Sequence, residues 1–390
     1  MNLAITILKN IYICSMTMIN RILQEKIKEK LFKKKAILIL GPRQVGKTTL
    51  IYSILEGRDF LFLDGDDASV RQIFENINTF QLKQLIGPNK IIFIDEAQRI
   101  PEIGLSAKII TDQFKDVQLI LSGSSALEIN NKTQEALTGR KWEYNLYPIC
   151  WQEFESTFGY LEAEKQLEHR LIFGMYPDVI SGNHEEHKIL KDLTNSYLYK
   201  DVLSLTGLRK PEILERLLEA LALQIGSEVS YNELSNLLGI DKGTVIKYID
   251  ILEKAFIIFE LRSFNRNQPN EIKNNRKIYF YDNGVRNIII NNLNSISLRN
   301  DKAALWENFL ISERIKMQAY HQIYTKNYFW RTTIKQEIDW IEEVNGVIDA
   351  FEFKWKNKTT QKIPTVFKET YGASGKFIDR SNFREFICKE

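Results

Sequence analysis

The stretch Gly41-Pro42-Arg43-Gln44-Val45-Gly46-Lys47-Thr48 fits the pattern G-x-x-x-x-G-K-[ST] without a mismatch. An apolar run, Ala36–Leu40, precedes it, and helix-forming sequence starts near Lys47. Strand, glycine loop and helix in that order turn backbone N–H groups inward at a helix N-terminus, where they cradle phosphates. Lys47 places a point charge on the β- and γ-phosphates, and the Thr48 hydroxyl is suited to ligate Mg²⁺. The expected cofactors are ATP and Mg²⁺, held by Gly41, Pro42, Arg43, Gln44, Val45, Gly46, Lys47, Thr48 and Thr49.

Three further apolar runs, Phe60–Leu63, Lys90–Ile94 and Gln118–Ser122, alternate with helix-like stretches, which argues for a parallel α/β sheet. The run Ile91-Ile92-Phe93-Ile94 ends in Asp95-Glu96. A carboxylate at the end of such a strand lies beside the phosphate loop, so Asp95 is expected to hold Mg²⁺ through water and Glu96 to polarise the attacking water. Gln118–Ser122 leads into Gly123-Ser124, and Ser124 at that strand tip is placed to sense a γ-phosphate. Arg140, in Leu137-Thr138-Gly139-Arg140, is a candidate arginine finger for its own or a neighbouring subunit, the latter implying a homo-oligomer.

The chain of 390 residues has room for two to three domains, and its net charge of +3 excludes a globally basic or acidic protein without excluding a local basic face. At 44% hydrophobic and 26% charged it is an ordinary folding composition. Three scattered cysteines, Cys14, Cys150 and Cys388, offer no disulfide framework, which suits a reducing, cytoplasmic setting. The apolar N-terminal stretch is interrupted by Lys9 and Asn10, has no basic region before it and no small-residue cleavage site after it. Residues 1–18 therefore read as an N-terminal extension, or an over-called start with the true one at Met16 or Met18, and a membrane partner is not expected.

An amphipathic helix is expected over Ile19–Lys34, and residues 150–210 read as mostly helical, broken at Phe173-Gly174-Met175-Tyr176-Pro177. From 211 the pattern changes. Ser230–Gly239 reads as a short helix, Ile240–Gly243 as a turn, and Thr244–Ala255 as a second helix with Val245, Tyr248, Ile249 and Leu252 as its apolar stripe. Two β-rich runs, Phe256–Phe264 and Lys277–Tyr281, complete a helix-turn-helix with a wing. Lys242, Thr244 and Lys247 would lie on the open side of the second helix. The wing carries Arg262, Arg266, Lys273, Arg276 and Lys277 against Glu271, a pattern that suggests phosphate contacts with nucleic acid, DNA rather than RNA. A packing module between larger domains accounts for the same helices, because helix-turn-helix geometry alone does not establish DNA contact.

Near the C-terminus, Glu337–Val344 and Val347–Trp355 flank Asn345-Gly346, a strong two-residue hairpin signal. That turn pairs Val344 with Val347, which sets Asp339 opposite Glu352 and Glu337 opposite Lys354 on one face. Glu342 and Asp349 are opposed in the same way near the turn. Facing carboxylates repel unless something positive sits between them, and a divalent metal flanked by Lys354 would serve.

GPRQVGKTTL, IIFIDEAQRIP, LILSGSSALEI, LTGRKWEYNLYPICWQEF and FGMYPDVI together resemble a family of bacterial and archaeal AAA-type ATPases with a C-terminal domain of poorly understood function, over roughly residues 19–360. The resemblance implies Lys47, Thr48, Asp95, Glu96 and Ser124 in the roles above and supports Arg140. An Asp on one strand and Glu-x-Lys on its neighbour resembles the core of restriction-endonuclease-like nucleases of the PD-(D/E)xK type, with Ile338 in place of the usual proline. That resemblance implies Asp339 and Glu352 as Mg²⁺ ligands, Lys354 as the group that stabilises charge on the phosphate, and Glu307 as an additional acid. The expected architecture is α/β: residues 19–210 an AAA-type P-loop parallel sheet with a helical lid, 211–295 a winged helix, and 296–390 an α/β restriction-endonuclease-like domain. Two functions follow: an ATPase whose C-terminal domains act on nucleic acid, or a nucleotide-dependent switch or scaffold whose C-terminal domains contact protein.

Overall fold

Ala36–Leu40 forms β1, five apolar residues buried along their whole length. The computed structural model describes residues 18–124, 136–182, 184–195, 211–266, 275–356 and 363–389; the N-terminal extension up to residue 17, with Cys14, and Glu271 and Lys273 lie outside them. β2 (Leu61–Asp64), β3 (Ile91–Asp95), β4 (Gln118–Gly123) and β5 (Lys141–Asn145) join β1 in a parallel sheet of order β2-β3-β4-β1-β5. The three inner strands are continuous apolar runs because both their faces are covered, the usual signature of a parallel sheet. β5 sits on the edge, and its sequence Lys-Trp-Glu-Tyr-Asn carries no such run, so sequence reading does not mark it. Helices α1 (Leu23–Lys28), α2 (Lys47–Ile54), α3 (Ala68–Phe74), α4 (Thr79–Ile86) and α5 (Ile103–Gln113) lie between or before the strands. The first helix is shorter than its amphipathic pattern suggests, because the chain turns at Phe32 and Lys34, both in left-handed backbone conformations.

The helical stretch after the sheet comprises α6 (Trp151–Phe158), α7 (Tyr160–Phe173), α8 (Pro177–Ser181) and α9 (Glu186–Leu193). Beyond them come α10 (Pro211–Leu223), α11 (Tyr231–Leu238) and α12 (Lys242–Lys254), whose Val245, Tyr248, Ile249 and Leu252 are all buried. β6 (Ile258–Ser263), β7 (Arg276–Phe280), α13 (Asn283–Ile289) and the long α14 (Lys302–Tyr320) follow. The chain ends with β8 (Lys326–Arg331), β9 (Glu337–Val344), β10 (Val347–Phe353), α15 (Thr365–Tyr371), β11 (Ser374–Ile378) and α16 (Phe383–Ile387).

Two expected boundaries are not where the packing divides. Trp151, Phe154, Leu167 and Leu171 share one core with α10–α14 and α16, whereas the N-terminal sheet has its own, so the main division falls near residue 150 rather than 210. The boundary near 295 is crossed by a six-stranded sheet of order β11-β10-β9-β8-β6-β7. β6 pairs in parallel with β8 through Arg262–Tyr328 and Ser263–Phe329. The expected wing therefore spends its free edge on the C-terminal strands. The β9–β10 hairpin has the expected register, Val344 opposite Val347 and Glu342 opposite Asp349.

The break at Phe173-Gly174 joins α7 to that second core. Gly174 has φ +76°, and a Cβ there would lie 2.1 Å from the Asp282 carboxylate, which accepts from Met175 N at 2.6 Å and caps α13 through Val285 N at 3.0 Å. Gly174→Ala should lower stability by about 2–4 kcal/mol, combining left-handed strain with a clash against a buried carboxylate. A reduced urea midpoint with near-native secondary structure before the transition is the expected result.

Candidate nucleotide site and C-terminal acidic cluster

At the C-terminal end of β1 the chain passes through a cramped loop. A Cβ on Gly41 would stand 2.1 Å from the Leu146 carbonyl oxygen, while Gln44 and Gly46 take positive φ of 59° and 92°. The loop wraps the N-terminus of α2, and Lys47 at its first position is 6% exposed. The Lys47 ammonium donates to the carbonyls of Gly41 at 2.9 Å and Pro42 at 2.8 Å. Burial lowers its pKa to about 8, against the opposing pull of Glu96 and Asp95.

β4 lies between β1 and β3, so three strand tips converge on this loop. Thr48 Oγ1 donates to Asp95 Oδ2 at 2.7 Å, and Ser122 Oγ and Glu96 N donate to Asp95 Oδ1. Glu96 has left-handed backbone, φ 47°, and its Oε2 accepts from Gln98 Nε2 at 2.5 Å. Gln98 Nε2 also reaches Ser124 Oγ at 2.9 Å, and Ser124 Oγ lies 3.4 Å from Glu96 Oε2. The loop lysine, Thr48, Asp95, Glu96 and Ser124 are thus brought together. A hydroxyl beside a carboxylate at the foot of a phosphate loop is an oxygen donor set that suits Mg²⁺. Gln98 and Ser122 were not singled out by sequence, although both lie within or beside the stretches that carry the motif. Gly65 is a third: a Cβ there would sit 2.3 Å from the Glu96 carbonyl oxygen, so β2's exit must be glycine to let the Asp95-Glu96 corner close.

Arg140 is elsewhere. Its carbonyl accepts from Ala36 N, at the start of β1, and its side chain pairs with Asp112 at 2.7 Å. β1 separates it from the phosphate loop by roughly 13 Å of strand. The expectation that Arg140 reaches its own γ-phosphate fails, because β5 runs parallel to β1 and delivers that residue to the opposite end of the sheet.

A second constellation lies in the C-terminal half, where Glu307 of α14, Asp339 of β9 and Glu352 of β10 come together. The positive charge between them is a lysine of β7. Lys277, 1% exposed, contacts Glu307 at 3.1 Å and Glu337 at 2.7 Å, and Tyr279 OH donates to Glu307 at 2.6 Å. Lys354 pairs with Glu352 at 2.7 Å, and Asp339 Oδ2 accepts from Phe353 N at 2.7 Å. Burial, then Glu307 and Glu352, hold the Asp339 carboxyl well above the usual carboxylate range. Among the described residues, Glu352 Oε2 is buried without a hydrogen-bond partner. Among the described residues no group of three or more His, Cys, Asp or Glu is placed to hold a metal ion. Lys277 and Lys354 pair with Glu307, Glu337 and Glu352, while among the described residues Asp339 has no ion pair, so two ammonium groups face four carboxyl groups.

Lys277 is therefore not a wing contact for phosphate; it points into the protein. The neighbouring arginines are paired too: Arg262 and Arg276 with Glu260 at 2.8 and 3.0 Å, and Arg266 with Glu343. Near the hairpin turn the opposed acids are likewise satisfied, Glu342 by a two-pronged contact from Arg314 at 2.6 and 2.7 Å and Asp349 by Ser374. Among the described residues no helix is long and apolar enough to cross a membrane.

Residues 33–155 match the family model described as AAA domain, residues 164–295 a domain of unknown function (DUF8612), and residues 302–384 a domain of unknown function (DUF4143). An uncharacterized protein of Mycobacterium tuberculosis, Rv2008c, is 25% identical over 334 residues, covering 84% of this chain and 72% of that protein. The uncharacterized protein MJ1544 of Methanocaldococcus jannaschii is 23% identical over 344 residues, covering 82% and 75% respectively. Among solved structures, the Walker-type ATPase paby2304 of Pyrococcus abyssi aligns with a TM-score of 0.47 at 16% identity, over 70% of this chain and 96% of that one. The matched N-terminal segment, with its phosphate loop and parallel sheet, is similar to a P-loop domain of the AAA type.

Proposed function

We propose that the chain binds Mg²⁺-ATP at the loop Gly41–Thr49 and hydrolyses it, with Glu96 activating water and Ser124 and Gln98 fixing the carboxylate's direction. The observation that carries this reading is the Thr48–Asp95 hydrogen bond, which sets a magnesium-type oxygen pair directly below the phosphate cradle. When bound, Mg²⁺ would neutralise charge on the β- and γ-phosphates. Lys47 supplies a point charge to the same phosphates, in a buried setting where that charge acts strongly.

Lys47→Ala should abolish nucleotide binding in a fluorescent-ATP titration, whereas Glu96→Gln should bind nucleotide and lose about a hundredfold in turnover, the scale of a positioned general base. Undiminished hydrolysis in Lys47→Ala would remove the ATP reading. Nucleotide affinity should also weaken with rising pH. Phosphate binding favours the ammonium form, so the free site's pKa of about 8 marks where affinity starts to fall, by up to about tenfold per pH unit until the pKa of the bound state is reached. A flat binding profile between pH 7 and 9.5 would show that Lys47 does not meet the phosphates.

For the C-terminal half, the lysine pairings inside the cluster and the paired arginines of β6 and β7 support a nucleotide-dependent switch or scaffold. Action on DNA by a winged-helix and nuclease-like module is the second reading, supported by the meeting of Glu307, Asp339, Glu352 and Lys354. With Mg²⁺ or Mn²⁺ present, wild type is expected to cleave DNA no faster than an Asp339→Ala, Lys354→Ala double variant. Metal-dependent cleavage confined to wild type would install the nuclease reading instead.

A further inference from the structure

Arg21 lies just before α1, outside every motif of the nucleotide site, and is 8% exposed. Its guanidinium uses its donors on four acceptors from distant segments. Nη1 donates to Val45 O of the phosphate loop at 2.9 Å, and Nε to Glu153 Oε2 at 3.1 Å. Nη2 donates to Tyr147 O at 2.6 Å and to Tyr320 OH at 3.1 Å. Val45 is the residue immediately before the Gly46-Lys47 turn, whose positive φ sets the direction of the loop.

We propose that Arg21 is a positioning residue for the phosphate-binding loop, acting through the Val45 carbonyl, and that it makes the loop's geometry depend on the docked end of α14. Tyr320, the last residue of α14, also accepts from Tyr147 N at 3.0 Å, so one phenol joins the guanidinium to the strand-to-helix connection after β5. Glu153 completes the hub by accepting from Ile22 N at 2.9 Å and Cys150 N at 3.1 Å. The other half of the same helix carries Glu307, roughly 20 Å away along a single rod. Loop and acidic cluster are thereby the two ends of one continuous connection. A lysine cannot reproduce it, because a single ammonium lacks the planar fork that reaches four acceptors at once.

The contact is independent of whether ATP is the ligand; its effect on turnover rests on the ATP reading above. The test is hydrogen–deuterium exchange on the full chain without nucleotide, comparing wild type, Tyr320→Phe and Arg21→Lys, followed by fluorescent-ATP binding and steady-state kinetics. Exchange across residues 41–50 should rise about tenfold in both variants, the scale of one lost charge-assisted hydrogen bond, while residues 118–123 of β4 stay at the wild-type rate. KM for ATP should rise several-fold more than kcat falls. Wild-type exchange of the loop in Tyr320→Phe, or an equal rise in β4, would overturn the proposal. If wild type binds no ATP, the ATP reading falls, and the exchange result still decides the role of Arg21.

Discussion

The guanidinium of Arg21 is withdrawn from water, and a charge in that position must be neutralised and hydrogen-bonded where it lies. Glu153 neutralises it, and three further acceptors from the phosphate loop, the segment after β5 and the end of α14 complete its shell. That requirement fixes how the two halves of the chain meet. Tyr147 packs against Tyr281 at 5.1 Å and against Phe256 at 5.9 Å, sealing the seam with aromatic surface from both cores. A second buried pair, Lys316 with Glu313 at 2.7 Å, lies on the same helix, and Glu313 accepts from Trp151 N at 2.6 Å. Removing one member of such a network leaves the other charge unpaired, so the seam resists opening as a hinge.

What could be read from the sequence was what is local. The phosphate loop is a contiguous turn, the inner strands are contiguous apolar runs, and the Asn345-Gly346 turn fixes its own register. The Asp95-Glu96 corner was legible for the same reason, since both acids end a strand whose neighbours the alternating pattern already supplies. Long-range facts were not legible. β5 is an edge strand without an apolar run, Arg21 is one arginine before an amphipathic helix, and Gly65 is one of 19 glycines until its backbone meets Glu96. Arg140 shows the opposite failure: sequence proximity to a motif suggested a role, and the direction of a parallel strand removed it.

The middle segment illustrates why element-by-element reading can succeed while the assembled unit differs. α11, α12, β6 and β7 form in the expected order, and each has its own local cause: Ser230 and Asp241 cap the two helices through Glu233 N and Thr244 N. Nothing local states that β6 will pair with β8. That pairing covers an edge which would otherwise present unpaired N–H and C=O groups, and it joins the two expected units into one sheet.

It also changes the electrostatics. A balanced net charge of +3 is compatible with separate basic and acidic faces, one of which could hold a phosphate backbone. In the folded chain the opposite charges are in contact rather than apart: Arg262 and Arg276 on Glu260, Arg266 on Glu343, Lys277 on Glu307 and Glu337, Lys354 on Glu352. Only cations free to displace counterions from a duplex contribute to the salt-dependent affinity that dominates nucleic-acid binding. Lys277 is too deeply buried to do so. The exposed Arg262 would have to leave Glu260, an exchange of one anion for another that gains little. On α12, Lys242 and Lys247 are exposed, on a helix face and not on a wing. Cations of that kind, and not the buried Lys277, are the ones a phosphate backbone could recruit.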